Sequence, residues 1–141
     1  MASTETTTER GAITNALEAY IEGARSGDAE KLKQAFDERA WMFGSLGGRR
    51  VDVPIMQMIE MIKAQPMGES YEARITSVEK VGDAARVTLE ETGCWGSVSF
   101  TDFFGLSKID GQWRIVSKTF AHTGGEMPQR SSEVVRSTMD G

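Results

Sequence analysis

Two carboxylates define the chemistry this chain could perform. Glu91 and Asp102 each interrupt an alternating apolar row, in Val87-Thr88-Leu89-Glu90-Glu91 and in Val98-Ser99-Phe100-Thr101-Asp102-Phe103-Phe104-Gly105-Leu106. Strand side chains alternate with period two, so each acid shares a face with its apolar neighbours. If the two runs pair, both acids lie on one apolar face. Two desolvated carboxylates cannot both ionise cheaply, so one pKa rises. An acid held that way is a general acid or base. These two residues are the candidate catalytic pair. The competing reading is structural: Asp102 hydrogen-bonds Thr119, Trp41 or a helix donor, and Glu91 sits solvated at a rim.

Around the pair, Tyr20, Trp41, Phe43, Met58, Trp95, Phe100, Phe104 and Thr119 are candidates for lining a ligand cavity. Aromatic residues at such spacing more often belong to a core. The sole histidine, His122, has no His, Cys or Glu at ligand spacing, so no metal site is expected. Alternation places it on the outer face of its strand. Cys94 has no base beside it and is read as facing outward. No glycine-rich phosphate loop of a recognised type is present, and no cofactor is expected.

These residues must be positioned by strands. Asp110-Gly111 is a favoured hairpin turn, because both central residues of a type I′ turn need positive φ. A turn there sets Leu106 opposite Ile115, Phe104 opposite Ser117, Asp102 opposite Thr119 and Phe100 opposite Ala121. A second hairpin about Gly82-Asp83 sets Ile75 near Leu89 and Ala73 near Glu91. A third, near Gly96-Ser97, sets Glu91 opposite Asp102. Earlier in the chain, Ile13, Ala16, Leu17, Tyr20, Ile21 and Ala24 recur at helical spacing. Asp28 caps a second helix over Lys31 to Phe36. Ala40 to Gly44 reads as a short strand. Pro54 opens a third helix with Ile55, Met58, Ile59 and Ile62 inward. Helices first and strands after mean α+β. Three N-terminal helices can cover one face of a strongly curved antiparallel sheet, which gives a cone with a cavity between the layers.

Composition bounds the function. The 141 residues carry 16 basic and 21 acidic side chains, a net charge of −5, which argues against nucleic acid and anionic membrane as partners. The first ten residues lack the features of a signal peptide, and a single cysteine excludes an internal disulfide, so a cytoplasmic protein is expected. Residues 1–8 are expected to be disordered, 9–123 to form one domain, and 124–141 to form a mobile tail.

Four stretches carry a family resemblance: Tyr20-Ile21-Glu22-Gly23 through Gly27-Asp28, Phe36 to Ala40, Thr101 to Leu106, and Lys108 to Phe120. Through them the chain resembles the nuclear transport factor 2-like (NTF2-like) superfamily, which includes SnoaL-type polyketide cyclases and ketosteroid isomerases. Within it, the chain is most similar to the lumazine-binding, SnoaL-like branch. The resemblance implies the cone fold and a homodimer packed through the outer sheet face. It points to a small-molecule ligand, handled by cofactor-free acid–base chemistry of a lyase or isomerase. A non-catalytic binder of a lumazine- or flavin-like heterocycle, or a dimeric interaction module with a filled cavity, stays open beside that reading.

Overall fold

A computed structural model describes residues 2–126. The chain runs α1 (Ala2–Ser26), α2 (Ala29–Ala35), β1 (Phe36–Leu46), β2 (Arg49–Pro54), α3 (Ile55–Ala64), β3 (Glu72–Val81), β4 (Ala84–Cys94), β5 (Val98–Ile109) and β6 (Gln112–Gly124). The strands form a single sheet in the order β2-β1-β6-β5-β4-β3. The helices pack on one face of it, giving the α+β cone.

Local chemistry explains the helix boundaries. Ile13, Leu17, Tyr20 and Ala24 fall on one stripe of α1, and all are fully buried. Gly27, at φ +75°, ends the helix with its N–H on Gly23 O at 2.8 Å, the left-handed stop that glycine adopts without strain. The Asp28 carboxylate then accepts the N–H groups of Glu30 and Lys31 and starts α2. Pro54 precedes α3, which buries Ile55, Met58, Ile59 and Ile62.

The helix α1 begins at Ala2. The expected tail falls mostly on residues 127–141, outside the described residues, and other expectations need correction. Phe36 begins β1 rather than ending a helix, and β1 is 11 residues long. One pairing, β1 with β6, is parallel, whereas the other pairs are antiparallel as expected. It arises because α3 carries the chain across the sheet and the meander β3–β6 returns beside β1.

The registers matter most for function. In the last hairpin Leu106 pairs with Ile115 as expected, but Gly105 pairs with Ser117. Val116 is therefore an extra residue, a β-bulge. Beyond it Phe104 faces Lys118, Asp102 faces Phe120 and Phe100 faces His122. A one-residue slip flips every side chain, so Lys118, Phe120 and His122 turn inward while Ser117 and Thr119 turn outward. The β4–β5 pairing slips by two instead, setting Leu89 opposite Asp102 and Glu91 opposite Phe100. An even slip keeps both acids on the inner face. An irregularity between Glu91 and Cys94 also turns Cys94 inward, where it is fully buried.

Candidate functional site

The inner face of the sheet carries three buried ionisable groups that come together: Glu91 on β4, Asp102 on β5 and Lys118 on β6. Asp102 and Lys118 lie diagonally across the β5–β6 ladder, with Lys118 Nζ 4.0 Å from Asp102 Oδ2. Lys118 Nζ donates to Tyr20 Oη at 2.8 Å and contacts Met58 Sδ at 3.6 Å. It also lies 5.0 Å from the Tyr20 ring centroid and 5.7 Å from that of Phe120, so the ring faces add cation–π attraction. Tyr20 donates to Glu91 Oε2 at 3.2 Å, and Tyr71 donates to the same oxygen at 2.5 Å. A continuous chain thus runs from the lysine through Tyr20 to Glu91, with Tyr71 closing its far end.

Asp102 is served differently. It is fully buried, and neither carboxyl oxygen finds a hydrogen-bond donor among the described residues. An ionised carboxylate left so would be costly. Burial pushes its pKa well above the ordinary aspartate value. The charge of Glu91 pushes the same way, against a smaller opposing effect of Lys118. The Tyr20 and Tyr71 phenols are likewise raised, by burial first and by Glu91 next, and stay neutral donors.

A cleft between α3 and the inner sheet face reaches this cluster. It is narrow, with a free interior of about 30 Å³. Asp102 and Lys118 are the ionisable side chains on its wall, and the rest of the lining is apolar, with Met42, Met58, Met61 and Met67 prominent. Trp95, Phe100 and Phe120 form an edge-to-face aromatic series along it, with centroids 6.1 Å and 5.6 Å apart. Gly44 makes room for that series: a Cβ there would sit 2.6 Å from the Phe120 ring. Trp95 is held at φ +51°, an uncommon conformation for a bulky residue. Its indole N–H bonds Gln65 O at 3.0 Å and its backbone N–H bonds Met67 O at 2.9 Å.

Of the residues named from the sequence, Asp102, Met58, Trp95 and Phe100 line the cleft. Tyr20, Glu91 and Phe104 are buried behind it, with Phe104 packed edge-on to Tyr20 at 5.1 Å. Trp41, Phe43 and Thr119 are not part of it. They lie on the outer face, where Phe43, Thr119 and Phe103 form a cross-strand row. Trp41 donates its indole N–H to Asp52 at 2.6 Å, not to Asp102. His122 sits beside Phe100 rather than outside, with Nε2 near the Gly124 and Gly125 carbonyls. The sequence reading missed Lys118, Phe120, Met42 and the bonding role of Tyr71. The usable signal for Lys118 was electrostatic: two acids on one buried face call for a cation, and Lys118 is the nearest one on the adjoining strand.

Residues 8–121 match the model of the family described as "Putative lumazine-binding". The chain is similar to an NTF2-like protein from Shewanella baltica OS155, at 28% identity and TM-score 0.76 over 86% of this chain and 97% of that one. It is also similar to one from Methylobacillus flagellatus KT, at 31% identity and TM-score 0.76 over 82% and 93%. Among curated proteins it is 28% identical to aldolase FrzH of Cladobotryum sp over 120 residues, 85% of this chain and 96% of that protein. Family match, fold and solved relatives agree, and this chain belongs to the lumazine-binding family of the NTF2-like superfamily.

Proposed function

We propose that the protein binds a small carbonyl compound with an apolar or aromatic body in the cleft and moves a proton at the carbon beside that carbonyl. Reactions of this kind include aldol addition and its reversal, and isomerisation, and need no cofactor. The observation that carries the reading is the orphaned Asp102 carboxyl beside the Lys118 amine on an otherwise apolar wall. A carboxyl with a raised pKa can give a proton and take it back near neutrality. A lysine ammonium 4.0 Å away can donate to a carbonyl oxygen as negative charge develops there. The likeness to a protein named as an aldolase supports the same chemistry.

The test is deuterium uptake from heavy water at the α-carbon of small cyclic and aryl ketones, followed by mass spectrometry. Wild type should accelerate uptake, and Asp102→Asn should lose about 10²–10⁴-fold. No acceleration by wild type with any ketone, or equal rates for the variant, would reject the reading.

The family description and the aromatic wall support a second reading, non-catalytic binding of a lumazine-like heterocycle. Quenching of Trp95 fluorescence by lumazine, without any proton exchange, would favour it. In either reading the protein is proposed to be a homodimer packed through the outer sheet face, on which Trp41, Phe43 and Phe103 are exposed.

A further inference from the structure

Proton transfer at a carbonyl needs Lys118 only as a hydrogen-bond donor, yet the surroundings of its Nζ equip it for more. Lys118 lines the cleft while its side chain is only 6% exposed. On one side it donates to Tyr20, which donates onward to Glu91. Moving two protons one step along that chain leaves a neutral amine, an intact phenol and a neutral Glu91 carboxyl. On the other side stands Asp102, with no donor partner among the described residues. A base that can relieve the ammonium of its proton therefore lies on one flank and an acid on the other.

We propose that Lys118 is a nucleophile that condenses with the ketone or aldehyde group of the ligand to form an imine, with Tyr20 and Glu91 receiving the ammonium proton and Asp102 supplying the proton with which water departs. This inference rests on the reading of the cleft as a carbonyl site. The Nζ lone pair attacks the carbonyl carbon, the C–N bond forms and the π pair moves to oxygen. A proton shifts from nitrogen to that oxygen and gives the carbinolamine. The nitrogen lone pair then forms C=N while the C–O bond breaks, and the Asp102 proton joins the leaving hydroxyl as water. The cluster begins as ammonium, Glu91 carboxylate and Asp102 acid. It ends as protonated imine, Glu91 acid and Asp102 carboxylate. Net charge is zero throughout, so the step creates no unbalanced charge in a desolvated site. Nothing is oxidised or reduced. The protonated imine is an electron sink for the adjoining carbon, which is how lysine adducts make that carbon acidic. Met58, Phe100 and Phe120 give the cleft an apolar wall.

The test uses the full chain and pentane-2,4-dione, a small diketone. Its condensation with an amine gives a conjugated enaminone with a new near-ultraviolet absorption. Intact mass should rise by one diketone less one water per chain, and peptide mapping should locate the adduct at Lys118. Lys118→Arg keeps the charge without a comparable nucleophile and should lose the adduct. Tyr20→Phe interrupts the proton path and should slow adduct formation by tenfold or more. Absence of an adduct at Lys118 in folded wild type overturns the proposal, as does equal labelling of Lys118→Arg; peptide mapping of wild type decides the matter even where a variant fails to fold. Ketone α-exchange without any adduct would remove the covalent step and leave the proton-transfer reading standing. An adduct at Lys118 without exchange would do the reverse.

Discussion

Asp102 keeps its proton because burial removes the water that would solvate its charge and because Glu91 is already negative nearby. In the unfolded chain an aspartate ionises at about pH 4; in the folded chain this one does so at higher pH. Between those points the folded state holds a proton the unfolded state has lost. The stability it contributes is therefore fully present below about pH 4 and is lost as pH rises toward the folded pKa, by up to about 1.4 kcal/mol per pH unit. Asp102→Asn, a neutral mimic of the acid, should flatten that dependence and melt no lower than wild type at about pH 8. Melting curves from about pH 5 to about pH 8 check this; a variant several degrees less stable throughout would mark Asp102 as a structural acid. Tyr71 differs, since it supplies one of the two donors to Glu91 Oε2. Tyr71→Phe leaves a buried carboxylate short of a partner and should cost about 1–3 kcal/mol in urea unfolding.

At the scale of the strand, the decisive feature is the single extra residue at Val116. The Asp110-Gly111 turn was legible, and with it the pairing of Leu106 with Ile115. The bulge was not, because Ile115-Val116-Ser117 carries no glycine or proline to announce it. Alternation counted from the turn therefore gave the wrong face to every residue from Ser117 onward, which hid Lys118 and misplaced Thr119. Asp102 and Glu91 survived because they lie on strands whose alternation, read locally, is unbroken over the relevant residues. Trp41 and Phe43 were misassigned for another reason: Ala40 to Gly44 alternates apolar residues on both faces, and nothing local says which faces the helices. Gly44 also owes its identity to β6. Gly44→Ala would drive a methyl group into the Phe120 ring and should cost about 1–3 kcal/mol. Loss of ligand binding beyond what the lowered melting point explains would show that the cleft wall had moved.

For the molecule as a whole, the class was readable from element order, since three helical patterns precede a run of turn-punctuated strands. Among the described residues no helix is long and apolar enough to cross a membrane. The outer face makes a separate prediction. Phe103 is 49% exposed in a single copy of the chain. Phe103→Glu should convert a dimer to a monomer in sedimentation velocity while leaving the melting curve of the folded unit recognisable; a wild-type monomer would dismiss the dimer. The cleft has a different character from that face. Half of the eight methionines in the chain line it, and unbranched thioethers yield where branched side chains resist. Under the proposed function, recognition is by anchoring rather than by moulding: the polar end is fixed between Asp102 and Lys118 while the apolar end is accommodated. Varied apolar bodies should then bind, and exchanging Met58 or Met61 for isoleucine should narrow that range, which a comparison of ligand affinities checks.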